Sequence, residues 1–222
     1  MNKKQENTFK DINKIIKDKD IIIHTDIKYI VLLFDDLIKK NRKDLLDTLS
    51  KFLIKNLYAK SIFIPTFNYN FLKTRLYNIE KDIGEVGLFS EFCSIKYAKY
   101  RTKVPVFNHV DIKKIHQPNK YKYSLSSAFG KNSFYDWFTE NGGFILFWGC
   151  DLSKKNTYIH HLEKLSEVSY RFDKIFKGEI ITSLNKEIVD FEYYVRPIDL
   201  EIEYDDYEKL LIELKRITEQ SL

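Results

Sequence analysis

In the run Asn156-Thr157-Tyr158-Ile159-His160-His161-Leu162-Glu163, an imidazole and a carboxylate stand three positions apart. On a helix that spacing sets His160 and Glu163 on one face, about a turn from each other. A carboxylate so placed can hold the ring in one tautomer and raise its basicity, which is what a general base needs. The same spacing also describes a surface ion pair, so the pattern by itself leaves both readings open. The adjacent His161 falls on another side of such a helix and cannot chelate together with His160. No Cys or further His lies at metal-ligand spacing, and no metal site is expected.

Other polar side chains stand at the ends of short apolar runs. Asp20-Ile21-Ile22-Ile23 leads into His24-Thr25-Asp26, and Ser61-Ile62-Phe63-Ile64-Pro65 leads into Thr66-Phe67-Asn68. These side chains offer hydroxyl, imidazole, carboxylate and amide groups to a ligand; capping the helix that follows is the alternative use. Arg101-Thr102, just before Val104-Pro105, places a guanidinium fork that matches two phosphate oxygens at once. The dinucleotide fingerprint GxGxxG, the phosphate loop GxxxxGK[ST] and the nucleophile elbow GxSxG do not occur.

The elements that must position these groups alternate between strand and helix. Asn7 to Lys17 carries Phe9, Ile12, Ile15 and Ile16 at helical spacing, and the β-branched run after it reads as a buried strand. Asn41 to Ala59 is amphipathic through Leu45, Leu46, Leu49, Phe52, Leu53 and Leu57, and the run ending at Pro65 follows it. Strand, helix and strand make a βαβ unit with parallel strands and a right-handed crossover. A helix is expected over Glu85 to Lys96 and an extended segment over Arg101 to Val110. Another helix spans Asn132 to Asn141, capped by Asn132-Ser133 and stopped by Gly142-Gly143. Phe144 to Gly149 reads as a third buried strand, and a helix starts near Thr157. Ile175 to Thr182, Asn185 to Val189 and Phe191 to Arg196 predict a hairpin, and Asp205 to Thr218 a closing helix. The fold class is therefore α/β: a central, mostly parallel sheet flanked by helices, with a small antiparallel hairpin region near the C-terminus. Ligand sites in such sheets lie beyond the carboxyl ends of the strands, where His24, Thr66 and the loop from Asp151 to His160 all fall.

At 222 residues with 44% hydrophobic and 31% charged side chains, the chain can bury one large core. It reads as a single domain over residues 1–222, with a β-rich appendage at about 170–200. The formal net charge of +5 is spread along the chain, unlike the concentrated basic face of a nucleic-acid binder. Cys93 and Cys150 sit in apolar surroundings without paired spacing, which suits a reducing compartment. Met1 to Lys19 lacks the apolar stretch of a signal peptide, and no run has the length of a membrane span. A cytoplasmic protein without membrane or nucleic-acid partners is expected.

Taken in order, five blocks resemble the aminoglycoside 3-N-acetyltransferase family, also called the antibiotic N-acetyltransferase family. They are Ile23-His24-Thr25-Asp26, Ile64-Pro65-Thr66-Phe67, Arg101-Thr102-Lys103-Val104-Pro105-Val106-Phe107-Asn108, Phe129-Gly130-Lys131-Asn132-Ser133, and Asn156 through Glu163. Each block is weak alone; the ordered set, running from about Asp20 to Tyr170, is the signal. The resemblance implies one-step transfer of an acetyl group from acetyl-CoA to an amine on a sugar, with His160 as base and Glu163 orienting it. It implies that His24, Thr25, Asp26, Arg101, Thr102, Ser133, Asn156 and Thr157 face the acetyl-CoA co-substrate, and that Thr66, Asn68 and Asn108 face the acceptor.

Members that act on aminoglycosides commonly carry His before the proline of the third block and Ser three residues after it. Here Val104 and Asn108 stand at those places. A sequence pI near 8.9 also does not advertise an acidic cleft for a polycationic drug. The expected acceptor is therefore an amino sugar, nucleotide-linked or free, in surface-glycan biosynthesis. Tyr170-Arg171-Phe172-Asp173-Lys174, with its two cations, either meets an anionic acceptor or simply builds the hairpin. Acetylation of aminoglycosides conferring antibiotic resistance, and a non-catalytic binding protein of the same fold, are the alternatives. A homo-oligomer is compatible with the sequence.

Overall fold

Three apolar runs fall into register in one sheet. The computed structural model describes residues 3–28, 41–117, 123–152 and 156–197. Strand β1 (Asp20–Thr25) lies between β2 (Ser61–Pro65) and β5 (Phe144–Trp148) and is parallel to both. Its registers place Ile22 beside Phe63 on one side and beside Ile145 on the other. A short strand β4 (His109–Asp111) adds antiparallel to β2, giving the order β4-β2-β1-β5.

The centres of β1 and β2, Ile21 to Ile23 and Ile62 to Ile64, are apolar on successive residues because both faces of this sheet are covered. Ile21, Ile23, Ile62 and Ile64 point to one face, against Ile16 of α1 (Lys3–Ile16) and Leu46, Leu49 and Leu53 of α2 (Arg42–Asn56). Phe89 and Cys93 of α4 (Leu88–Lys96) complete that layer. Ile22 and Phe63 point to the other face, where Phe134, Tyr135 and Phe138 of α5 (Phe134–Glu140) pack. Asn41 caps α2 by accepting from the Asp44 amide at 3.0 Å, and Ser133 caps α5 by accepting from the Asp136 amide at 3.2 Å.

The expected hairpin is longer than the sequence suggested. Strands β6 (Phe172–Ile181) and β7 (Lys186–Val195) pair over their whole lengths, from Phe172 opposite Val195 to Ile181 opposite Lys186. The turn closes through Thr182, whose hydroxyl donates to Asn185 Oδ1 at 2.8 Å. A third strand was not foreseen: β3 (Leu76–Asn78), which follows the single-turn α3 (Phe71–Thr74), runs parallel to β6. Gly178 makes that approach feasible, since a Cβ there would lie 2.4 Å from the Arg75 carbonyl oxygen and 2.6 Å from the Phe71 ring. Ile180, Val189, Phe191 and Tyr194 enter the same apolar cluster as Ile22 and Phe63.

One expected strand differs in environment. Among the described residues β5 is an edge strand, paired with β1 alone, with Phe144 40% exposed and its other residues half-buried. The helix expected from Glu85 begins at Leu88, after Gly87 at φ +121°. The closing helix expected over Asp205 to Thr218 lies outside the described residues. Among the described residues, no helix is long and apolar enough to cross a membrane.

Candidate active site

The helix that carries the His-Glu pair is short, α6 (Ile159–Leu165), and its own hydrogen bonds cannot hold it. Its other face anchors it instead. His161 is fully buried, and its Nδ1 accepts the Gly130 amide at 3.1 Å. The Tyr158 ring lies 5.3 Å from the His161 ring. Lys164, on the next turn, donates to Asp173 at 2.8 Å, Glu192 at 2.9 Å and the Ser127 hydroxyl at 3.1 Å, tying α6 to the β6-β7 sheet. Asn156 and Thr157, both half-buried, form the turn into the helix: their carbonyls accept the Ile159 amide at 3.3 Å and the His160 amide at 3.1 Å.

Because neighbouring helical residues differ in direction by about 100°, anchoring His161 inward turns His160 toward the surface. The His160 side chain is 30% exposed, and its Nδ1 lies 2.8 Å from Glu163 Oε2. The Phe129 ring meets it edge-on at 5.6 Å. Glu163, 13% exposed, also receives the Tyr170 hydroxyl on Oε1 at 3.0 Å and pairs with Arg171 Nε at 2.7 Å on Oε2. Burial by itself would push the Glu163 carboxyl up. The His160 hydrogen bond and charge, the Arg171 guanidinium and the Tyr170 hydroxyl outweigh it and hold the group below the usual carboxylate range. Glu163 is thus an ionised orienting group, and an imidazole that donates from Nδ1 to it keeps its lone pair on Nε2.

The polar end of β1 pairs with β5, His24 beside Phe147 and Thr25 beside Trp148, and Asp26 follows it. The His24 ring stacks on Phe147 at 5.1 Å, and its carbonyl accepts the Cys150 thiol at 3.3 Å. Thr25 and Asp26 are half-buried; Asp26 accepts the Lys28 amide at 3.0 Å, the local turn that the capping alternative anticipated. Ser133 is fully buried, and besides capping α5 it donates to the Gly130 carbonyl at 2.7 Å.

The third block corrects the sequence reading. Arg101 is fully buried, and its guanidinium faces protein acceptors rather than a phosphate path. Nε donates to Asn108 Oδ1 at 2.7 Å and to the Thr66 hydroxyl at 3.1 Å, Nη2 to the Thr66 carbonyl at 2.6 Å, and Nη1 to the Asp82 carbonyl. The Thr66 hydroxyl in turn donates to Asn108 Oδ1 at 2.8 Å. Thr102 is buried beside them and accepts the His109 amide at 2.9 Å on its hydroxyl. Asn68 donates to the Ile83 carbonyl at 2.7 Å and accepts the Asn70 amide at 3.0 Å. Thr66, Arg101 and Asn108, assigned from the blocks to two different ligands, join with Thr102 and Asn68 close by in a buried scaffold rather than a ligand-facing wall. Between them Val106 is held at φ +64°, with the Phe107 amide donating to the Pro105 carbonyl at 2.8 Å, a tight turn that a β-branched residue rarely adopts. Val104 is also in the core, so neither Val104 nor Asn108 faces an acceptor.

Sequence reasoning missed the partners of Glu163. Tyr170 and Arg171 lie beyond the end of α6, after the chain reverses at Glu167 (φ +51°), and no period connects them to Glu163. Arg171, for which contact with an anionic acceptor and a structural role in the hairpin both stood open, is paired inside the protein with Glu163. Lys174 reaches over the Phe176 ring at 5.5 Å. Among the described residues, no group of three or more His, Cys, Asp or Glu is placed to hold a metal ion.

This fold has known counterparts. The family model of the aminoglycoside 3-N-acetyltransferases matches residues 81–219, and the chain belongs to that family, a family of N-acetyltransferases. The fold is similar to that of AAC-IIIb in its binary complex with CoASH, with a TM-score of 0.64 and 14% identity over 95% of this chain and 84% of that one. It is also similar to sisomicin-bound AAC-VIa, with a TM-score of 0.59 and 12% identity over 86% of this chain and 75% of that one. The YokD protein from Bacillus subtilis matches with a TM-score of 0.57 and 14% identity, over 90% of this chain and 83% of that one. No curated protein sequence matches the chain.

Proposed function

We propose that the protein transfers the acetyl group of acetyl-CoA to an amino group on a sugar, with His160 as the general base and Glu163 orienting it. The observation that carries this reading is the 2.8 Å contact between His160 Nδ1 and Glu163 Oε2, on a histidine that is partly open to solvent. An amine attacks a thioester only when its nitrogen lone pair is free. In the proposed step the nitrogen attacks the thioester carbonyl while His160 Nε2 takes its proton; the new N–C bond forms, the C–S bond breaks, and the thiolate leaves to be protonated. No acyl-enzyme is formed. That AAC-IIIb, similar in fold, was crystallised with CoASH supports acetyl-CoA as the donor.

Thr25, Asp26, Asn156 and Thr157, half-buried near the strand ends and the start of α6, are the proposed residues beside acetyl-CoA. His24 and Ser133, both buried, are proposed to shape this region from within the protein. Residues 1–222 are proposed to act as one domain, since the β3-β6-β7 sheet shares an apolar cluster with β1 and β2. Cys93 and Cys150 are not joined in a disulfide, which fits a reducing, cytoplasmic setting.

For the acceptor we propose an amino sugar or sugar nucleotide in surface-glycan biosynthesis. With Val104 and Asn108 in the core, support for this choice comes from the charge: a +5 protein is poorly matched to a polycation. A second reading, acetylation of aminoglycosides, is favoured by the family to which the chain belongs and by the sisomicin bound to AAC-VIa. Incubation with acetyl-CoA and a panel of amino sugars, sugar nucleotides and aminoglycosides, followed by free-thiol release, separates the two. Turnover on sugar nucleotides is expected; turnover on aminoglycosides alone would establish the second reading.

A further inference from the structure

We propose that Arg171, with Tyr170, is a positioning residue for the base: it locks the Glu163 carboxylate in the orientation that holds His160 and balances the negative charge beside the imidazole. The inference rests on His160 acting as the base, and it deepens that reading.

The geometry is that of one carboxylate shared among two hydrogen-bond donors, His160 and Tyr170, and one cation, Arg171. Oε2 lies 2.8 Å from His160 Nδ1 and 2.7 Å from Arg171 Nε, while Oε1 accepts the Tyr170 hydroxyl at 3.0 Å. A glutamate on a seven-residue helix has rotatable bonds that one histidine would not restrain. With a donor on each oxygen, its rotation is fixed, and the direction of the His160 ring follows. Arg171 is itself held: it is 12% exposed, and its guanidinium lies over the Tyr194 ring at 5.5 Å. Such planar, stacked and charge-paired contacts are what a guanidinium provides and an ammonium does not.

The charges around the pair come from every element packed on it. His160 stands on α6 itself, Tyr170 and Arg171 on the connection to β6, and Tyr193 and Tyr194 on β7. Lys164, the nearest other cation on α6, is engaged with Asp173 of β6 and Glu192 of β7. Among the described residues, Arg171 is therefore the guanidinium or ammonium that faces Glu163. A buried carboxylate left without it would favour the protonated imidazole, and a protonated imidazole cannot accept a proton from the amine.

The test is steady-state kinetics of Arg171→Gln and Arg171→Lys across pH. Arg171→Gln is expected to lower kcat roughly tenfold, a fraction of what loss of a general base does, with the KM for acetyl-CoA within about twofold. The acid limb of its kcat/KM profile should move to higher pH, and Arg171→Lys should recover part of both effects. A folded Arg171→Gln with wild-type kcat and profile would overturn the proposal, as would a loss that leaves the profile unmoved and that lysine does not relieve. If Arg171→Gln does not fold, Tyr170→Phe deletes only the hydroxyl bond; a severalfold fall in kcat is expected, and an unchanged kcat overturns the proposal. His160→Ala is measured alongside. Full activity in that variant defeats the base itself, whereas loss there with unaffected Arg171 and Tyr170 variants defeats only the positioning role.

Discussion

His161 accepts the Gly130 amide through Nδ1 at 3.1 Å, and by doing so turns the neighbouring His160 toward the surface. Two adjacent residues of the same type thus have opposite duties, one structural and buried, the other partly exposed and paired with Glu163.

From that contact it follows that His161→Phe should leave the Gly130 N–H buried without an acceptor. A loss of about 1–3 kcal/mol in stability is expected, measured by denaturant unfolding. His161→Asn, which keeps an acceptor near the Nδ1 position, should recover part of it. Equal stability of the Phe variant and the native protein would show that the bond does not anchor the helix.

The buried histidines make stability depend on pH. Burial pushes His116 down to about 3 and His109 well below the ordinary value of 6.5, where the charges of His24 and His116 act in the same direction. In the unfolded chain both imidazoles bind protons below about 6.5, while the folded ones resist until far lower pH. The unfolded state then binds more protons, so stability is full above pH 6.5 and declines as the pH falls toward 3. Asp111, pushed up by burial against the backbone amides of His116, Ile62, Lys113 and Ile115, acts in the opposite direction at the acid end. Urea midpoints taken across this range should fall with pH and fall less steeply in His116→Gln. Identical slopes would contradict the assignment.

Arg101 separates a scaffold from a ligand contact. As the donor that joins Thr66 to Asn108, it should not tolerate Lys, whose point charge cannot reproduce the fork. Arg101→Lys is expected to lose about 2–4 kcal/mol of stability with little change in the KM for acetyl-CoA. The reverse pattern, a raised KM in a protein of native stability, would restore the phosphate-binding role.

What the sequence could disclose follows from the range of each interaction. The His160-Glu163 pair was legible because helical geometry is local, and β1 and β2 were legible because strands covered on both faces carry continuous apolar centres, Ile21 to Ile23 and Ile62 to Ile64. β3 was not: Leu76-Tyr77-Asn78 becomes a strand only by pairing with β6, about a hundred residues later in the chain. The ordered blocks picked out Thr66, Arg101 and Asn108 but assigned them to two different ligands, because a polar side chain at a strand end serves a ligand or a buried network with the same residue types. Tyr170 and Arg171 reach Glu163 only after the chain turns at Glu167, a tertiary contact without a sequence period.

The account stands on His160 as the group that takes the proton of the attacking amine. The most direct measurement is a crystal structure of the protein with CoA and an accepted amine bound. The amine nitrogen should lie within hydrogen-bond reach of His160 Nε2, directly or through one water, on the side facing the CoA sulfur. A sulfur and an amine that meet each other away from the His160 ring would contradict the account.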